Sequence, residues 1–395
     1  MTGLMDRLIF RSLKSHLPLN AHFDITYRCN ERCVHCYLDH EDHGEMTTSE
    51  VKGVLDQLRA AGTLFLTFSG GEVFLRKDFF ELLAYARQLH FDLCLKTNGV
   101  LIDAVRARRL KEMGVRKVQI SIYSGRPEVH DAITKLPGSF TRSIAAVRFL
   151  KQQGLQAAIA CPIMPQNVAD YRQVVDLAAE LGVAYLLDLT ITPKMDGDRA
   201  PLALREDSQS LLPILTDPVV NAKHSRSEES QPEEYSDPCY DIPCSAGHNS
   251  CYITPYGDVT ACVQMPVAAG NLRRHSFQDI WYGSRELRHL RDLHDSEVPI
   301  CSTCSIRKFC QRCPGLAHME AGNAEGPYER ACELAETSAR LAGVAHPVSA
   351  YHLLRNSGGT AQSASVRSAN GSASGVTKSR LITIASAVDL QLNRQ

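Results

Sequence analysis

Six short apolar runs, FDITY, LFLTF, FDLCLKT, VQISIY, LQAAIAC and AYLLDLTI, alternate with longer amphipathic stretches between Ala21 and about Ile191. The runs are rich in β-branched and aromatic residues and read as strands, while the stretches between them carry helical spacing. The first of these stretches opens with Thr47 and Glu50 placed as a capping box ahead of VKGVLDQLRAAG. Strict alternation leaves few folds open: successive strands run parallel, crossovers are right-handed, and helices cover the sheet. The fold class is therefore α/β. Six units suit an open or partial (β/α)6 barrel better than a closed eight-stranded one.

After Pro193 the pattern stops, and residues 223–238 (KHSRSEESQPEEYSDP) are polar and acidic with no core-forming period. Residues 239–332 then hold nine of the fourteen cysteines, so metal is expected to replace part of a hydrophobic core there. Beyond His346, Ser, Gly, Ala and Thr dominate, the composition of a flexible tail, which ends on the apolar patch LITIASAVDL. The expected organisation is an N-terminal segment (1–20), a barrel (21–204), a linker with a helix and an acidic loop (205–238), a small Cys-rich, metal-supported domain (239–345) and the tail (346–395).

Lysine and arginine number 43 against 44 acidic residues, a balance that points to neither nucleic acid nor an anionic membrane as partner. No run of 18 apolar residues could span a bilayer. The opening MTGLMDRLIFRSLKSHLPLN has neither the apolar core nor the cleavage site of a secretory signal. A cytoplasmic protein is expected, with thiols kept reduced and available to metal.

The segment YRCNERCVHCY places Cys29, Cys33 and Cys36 at C-x3-C-x2-C after the first strand. Three thiolates ligate three irons of a cubane and leave the fourth open to chemistry. A zinc site completed by His35 or His40 is the alternative on the motif alone. The loop also lies at a strand's carboxyl end, where parallel α/β folds bind ligands. With Tyr37 as the aromatic residue after the third cysteine, the segment resembles the hallmark of the radical S-adenosylmethionine (SAM) superfamily, and the resemblance extends over residues 21 to 200. Ser69-Gly70-Gly71-Glu72 matches the family's Gly-Gly-Glu turn, which receives the methionine ammonium: glycines allow close approach and a carboxylate accepts its hydrogen bonds. Lys96 and Asn98 at the end of the third strand, and Ser121 on the fourth, stand where the family contacts the ligand's carboxylate and ribose; Leu189 on the sixth would face the adenine. Bland readings exist for Lys96 and Ser121, as a cap and a satisfied strand serine. The resemblance implies reductive cleavage of SAM to methionine and a 5′-deoxyadenosyl radical that abstracts hydrogen from substrate.

Downstream come Cys244, Cys251, Cys262, then Cys301-x2-Cys304-x5-Cys310-x2-Cys313, and Cys332. Taken alone these could be zinc ribbons. CYITPYGDVTAC and the later C-x2-C-x5-C resemble the SPASM extension of peptide-modifying radical enzymes. By that family's interleaved order, one auxiliary 4Fe-4S cluster takes Cys244, Cys251, Cys262 and Cys313, and the other Cys301, Cys304, Cys310 and Cys332, making three clusters in all. The gap before Cys313 is two residues where three is usual, which leaves exchanged partners open. Trp281 is expected in the core. Of Cys94, Cys161 and Cys239, the first reads as a small buried hydrophobe, while Cys161, at a strand end, could face the cavity and donate a hydrogen atom. His130 and Asp131 read as loop residues, with a substrate-facing role possible.

The resemblance implies a maturase acting on a ribosomally made precursor peptide, by crosslink, thioether, epimerisation or oxidative decarboxylation, with a flavodoxin or ferredoxin as electron donor. Only about 20 residues precede the first strand, so a leader-binding domain is not evident and a separate leader-binding protein is expected, or a short substrate. Related chemistry on a tetrapyrrole side chain, or on a serine or cysteine as in sulfatase maturation, gives alternative substrates. A multi-cluster electron carrier or zinc-binding module is the non-enzymatic alternative, and the open triad with Gly-Gly-Glu argues against it.

Overall fold

The computed structural model describes residues 3–225 and 241–356. Cys239, most of the acidic loop and residues 357–395 lie outside them. The chain divides into two compact units, Met1–Glu206 with Ser245–Leu290, and Asp207–Cys244 with Arg291–Gln395.

The first unit begins with α1 (Leu4–Lys14) and then alternates β1 (Asn20–Thr26), α2 (Thr48–Ala60), β2 (Phe65–Gly70), α3 (Phe79–Gln88), β3 (Asp92–Thr97), α4 (Ala104–Glu112), β4 (Val115–Ser121), α5 (Pro127–Thr134), α6 (Ser139–Gln152), β5 (Gln156–Pro162), α7 (Tyr171–Leu181) and β6 (Ala184–Asp188). These six strands are all parallel and lie in sequence order, the α/β partial barrel that the alternation predicts. Helix α2 starts where expected. Thr47 Oγ1 accepts from the Glu50 N–H at 3.3 Å, and Glu50 Oε2 accepts from the Thr47 N–H at 2.7 Å. Arg273 also bonds Glu50, at 2.7 Å, and holds its carboxyl down at about 2.

Register partners in a parallel sheet point to the same face. Phe23, Phe68, Leu95 and Val118 align on one face and are buried, and Phe68 meets Phe79 of α3 edge to face at 6.5 Å. Each such side chain contributes about 1.5–3 kcal/mol of burial. The opposite, inner face is polar, with His22, Asp24, Thr67, Ser69, Cys94, Lys96, Lys117, Gln119, Ser121 and Asp188.

On the far side of β1 the sheet continues with β7 (Ser250–Ile253), parallel to β1, and then antiparallel β8 (Asp258–Thr260) and β9 (Gly270–Asn271). Helices α10 (Phe277–Gly283) and α11 (Arg285–Arg291) follow. Trp281 is fully buried as core, stacked on Phe277 at 5.9 Å, with Nε1 donating to the His16 carbonyl at 2.6 Å.

The second unit is smaller in secondary structure: α8 (Leu212–Thr216), α9 (Pro218–Ser225), α12 (Pro314–Ala321), α13 (Glu329–Leu341) and α14 (Ala350–Asn356), the last within the stretch read as tail. Its apolar clusters hold few residues. Ile306, Ala335 and Ala339 pack with Cys304 and Cys310, and Leu316, Ala317, Tyr328 and Ala331 with Cys310 and Cys313. Among the described residues no helix is long and apolar enough to cross a membrane.

Candidate active site

The triad occupies the irregular segment that leaves β1, and backbone bonds fasten it to the end of α5: Arg32 N–H to the Thr134 carbonyl and Val34 N–H to that of Ile133, both at 3.0 Å. Cys29 Sγ accepts from the Glu31 N–H at 3.4 Å and from Asn98 Nδ2 at 3.8 Å. Cys33 Sγ lies 3.4 Å from Glu31 Oε2 and 3.7 Å from the Tyr123 hydroxyl. Burial pushes the Cys29 thiol up to about 12 and that of Cys33 well above its ordinary range; the negative charge of Cys36 pushes both the same way. Such thiols become ligands when a metal supplies the missing positive charge.

Three soft sulfurs, with N–H groups already aimed at one of them, suit an iron–sulfur cluster. His35 packs edge-on to Tyr123 at 5.0 Å, and its burial lowers it to about 4, whereas His40 stands at a left-handed backbone position. Among the described residues no three His, Cys, Asp or Glu side chains converge as ligands of a single metal ion.

Gly70 and Gly71 bring the end of β2 against the exit of β1. Gly70 has φ +135, and a Cβ there would stand 2.1 Å from the Thr26 carbonyl oxygen; one on Gly71 would stand 2.4 Å from that of Arg28. The close approach is therefore to the chain that carries the triad. Glu72 is fully buried, and its carboxylate accepts from Thr97 Oγ1 at 2.7 Å, the Asn98 N–H at 3.0 Å and the Phe74 N–H at 3.2 Å. Burial raises its pKa, and these bonds oppose the rise. Asn98 thus touches Glu72 through its backbone and Cys29 through its side chain, joining the triad and the Gly-Gly-Glu turn.

Of the other candidates, Lys96 and Ser121 lie on the inner face, and Tyr37 lies close enough to Asp24, Cys36 and Tyr27 for their charges to add to the burial that raises its pKa. Leu189 falls just past β6. The strand stops at Asp188 because that side chain accepts the Thr190 N–H at 2.9 Å, turning the chain. Cys161 shares the apolar, helix-covered face. It is fully buried, and its thiol donates to the Tyr123 carbonyl at 3.5 Å, so it does not open to the inner face. His130 and Asp131 sit in helix α5, not a loop, because Pro127 starts a turn of helix there. His130 is buried, and Asp131 accepts from Ser139 Oγ and the Phe140 N–H at the start of α6. Cys94 is half-buried on the inner face, accepting from Arg116 Nη2 at 3.1 Å, rather than being a core hydrophobe.

The strand pattern gave no notice of Asp188, a carboxylate on the inner face under the influence of the Lys96 charge. Nor did it show the bonded chain in which His22 Nε2 meets Asp24 at 3.2 Å, Tyr252 donates to Asp24 at 2.7 Å, and the Tyr252 and Tyr27 hydroxyls meet at 2.9 Å. A charged residue inside an apolar strand run was the available signal for Asp188 and Asp24.

Residues 23–178 match the radical SAM superfamily, and residues 244–305 match SPASM, an iron-sulfur cluster-binding domain. Mycofactocin maturase MftC of Mycobacterium tuberculosis is 30% identical over 324 residues, covering 79% of this chain and 82% of that protein. The chain belongs to the radical SAM superfamily. This radical SAM enzyme, with its SPASM domain, binds iron–sulfur and SAM as its family does. It is 27% identical over 338 residues to the AdoMet-dependent heme synthase of Methanosarcina barkeri, covering 80% of this chain and 97% of that one. Its fold matches Streptococcus suis SuiB, solved bound to precursor peptide SuiA, with a TM-score of 0.63 at 18% identity over 81% of this chain and 78% of that chain.

In the second unit of the radical SAM enzyme, Cys301, Cys304, Cys310 and Cys332 act on one another electrostatically, and burial raises Cys310 and Cys332 to about 12. Arg307 and Arg312 oppose the rise at Cys301, and Arg312 Nη1 is buried with no hydrogen-bond partner. A guanidinium beside four thiols fits a site that becomes anionic when a cluster is bound. Cys244 and Cys313 also influence each other in this unit; Cys251, buried on β7, and Cys262 belong to the first unit.

Proposed function

We propose that Cys29, Cys33 and Cys36 hold the radical-initiating cluster, that Glu72 receives the SAM ammonium, and that the substrate is a ribosomally made precursor peptide. The observation that carries the site is Asn98, bonded at once to Cys29 and Glu72. Cys29, Cys33 and Cys36 would hold the cluster, which when bound would supply the one electron that cleaves SAM to methionine and a 5′-deoxyadenosyl radical. The chain's own share is placement and exclusion of water. Thr97 and the Asn98 and Phe74 N–H groups fix the Glu72 carboxylate, while Lys96, Asn98, Ser121, Tyr37 and Leu189 are proposed to surround the rest of the ligand. Cys244, Cys251, Cys262 and Cys313, and separately Cys301, Cys304, Cys310 and Cys332, are proposed to hold two auxiliary clusters, with reduction by a flavodoxin or ferredoxin in the cytoplasm.

Anaerobically reconstituted protein is then expected to carry about twelve irons and twelve sulfides, falling to about eight of each when all three triad cysteines become alanine. Stoichiometric zinc without sulfide would refute the assignment.

Glu72→Gln is expected to weaken SAM binding about tenfold or more, the cost of a charge-assisted bond at roughly 1.5–3 kcal/mol. The amide oxygen can still accept from the Asn98 N–H and the amide nitrogen donate to Thr97 Oγ1, but the Phe74 N–H on the other oxygen loses its partner, so iron content and melting temperature are measured beside affinity. Unchanged affinity by calorimetry in iron-loaded protein would reduce Glu72 to a latch between β2 and β3.

The likeness to MftC and to peptide-bound SuiB supports a peptide substrate. The near full-length match to the heme synthase supports a second reading, a tetrapyrrole side chain. Mass spectrometry after incubation with SAM and reductant, using a precursor peptide encoded beside this gene or an iron tetrapyrrole bearing carboxylate side chains, separates them. A mass change confined to the tetrapyrrole would replace the first reading by the second.

A further inference from the structure

We infer that the Tyr123 phenol donates a hydrogen bond to the sulfur of Cys33 and thereby raises the reduction potential of the initiating cluster. The inference rests on the proposed ligation by the triad. Tyr123 follows β4, is 4% exposed, and holds its hydroxyl 3.7 Å from Cys33 Sγ. In the free thiol either atom can donate. Once Cys33 ligates iron its sulfur carries no proton, so the phenol must be the donor.

The Ser121 side chain also hydrogen-bonds the Tyr123 hydroxyl, and the serine O–H can donate there while the phenol proton goes to Cys33. The Tyr123 N–H donates to His130 Nδ1 at 3.2 Å, and its carbonyl accepts from Asn167 Nδ2 at 2.8 Å and from the Cys161 thiol. The ring stands edge-on to His35 at 5.0 Å and tilted to His130 at 5.4 Å, and it packs with Ile133, Met164 and Cys33. Backbone and ring are thus fixed by contacts that do not use the hydroxyl. This gives His130, Asn167 and Cys161 a common purpose, which is to fix the residue that meets Cys33.

Glu31 Oε2 also stands near Cys33 Sγ, at 3.4 Å, and there it accepts from the free thiol; a carboxylate is acceptor-only, whereas the phenol always carries a proton to give. Cys29 already has N–H donors from Glu31 and Asn98. Hydrogen bonds to cluster sulfurs stabilise the more negative, reduced state and so raise the potential. Tyr123 is therefore a positioning and tuning residue that need not touch substrate.

The test is Tyr123→Phe in the full-length, anaerobically loaded enzyme, followed by potentiometric titration of the reduced-cluster electron paramagnetic resonance signal that changes on adding SAM. That response separates the cluster with an open iron from saturated ones. The variant is expected to load the same iron and melt at the same temperature. At a fixed donor potential its ratio of reduced to oxidised cluster should fall about tenfold, which the one-electron constant converts to ~59 mV more negative, and its formation of 5′-deoxyadenosine should slow accordingly. An unchanged potential in loaded variant overturns the inference alone. Failure of the variant to take up iron overturns it too, by making the phenol a structural support. If the wild-type enzyme has no SAM-responsive signal, the ligand assignment falls and this inference with it.

Discussion

Alanine at Cys29, Cys33 or Cys36 is expected to remove all conversion of SAM to 5′-deoxyadenosine under dithionite, whereas alanine at Cys304 or Cys310 is expected to leave some. The wild-type enzyme should show slow cleavage without substrate, because on the proposed assignment the three triad thiolates would leave one iron open to SAM. Cys304 and Cys310 instead lie among four thiols of the second unit that influence one another electrostatically, a set that is proposed to saturate a cubane. Their loss should spare uncoupled cleavage and collapse product formation on the true substrate. The apolar clusters around these cysteines are small, Ile306, Ala335 and Ala339 on one side and Leu316, Ala317, Tyr328 and Ala331 on the other. A lost ligand is therefore expected to loosen the region, so circular dichroism and iron content must accompany each variant. Soluble, iron-loaded Cys304 or Cys310 variants that cleave no SAM, beside triad variants that still do, would reverse the roles.

The second large effect is expected at Gly71. A Cβ there meets the Arg28 carbonyl oxygen at 2.4 Å and that of Tyr27 at 2.5 Å. Both are backbone atoms of the segment that leads to Cys29, so neither can swing aside. Gly71→Ala should push that segment away from β2, cost ~1–3 kcal/mol or more of stability, and abolish SAM binding by separating the triad from Glu72. Gly53 supplies the control. It lies inside α2, and a methyl group added there would have no neighbour within 4 Å, so Gly53→Ala should be ~1 kcal/mol more stable and fully active. Thermal melts and SAM calorimetry on the two variants decide the matter, and a Gly71→Ala enzyme that binds SAM normally would show that the turn tolerates displacement.

Much of the active end was legible because its signals are local. The Cys29 to Cys36 spacing, the Gly-Gly-Glu turn after β2 and the Lys96 to Gly99 segment after β3 each sit at a strand's carboxyl end, and strand ends follow from the βα period. The same locality explains the misplacements. Leu189 belongs to an apolar run that periodicity extends through Ile191, yet the Asp188 side chain ends the strand by capping the Thr190 N–H. Residues 127–134 offered only about two turns of pattern around His130, and the proline that starts the helix was the usable sign.

What the sequence by itself determined is the alternation, hence a parallel α/β sheet, and the residue types set at its strand ends, hence iron–sulfur chemistry. Both depend on spacing within one stretch of chain. Only the tertiary structure decided that the four residues Ser250–Ile253 pair with β1, that Asn98 joins Cys29 to Glu72, and that Cys161 turns toward the helices while Lys96 and Asp188 turn inward. The phenol of Tyr123 beside Cys33 belongs with these, 90 residues apart in sequence. A four-residue strand is too short to show a period, and a one-residue change of register reverses which face a side chain occupies. Such pairings depend on which distant strands meet, and no local pattern records that.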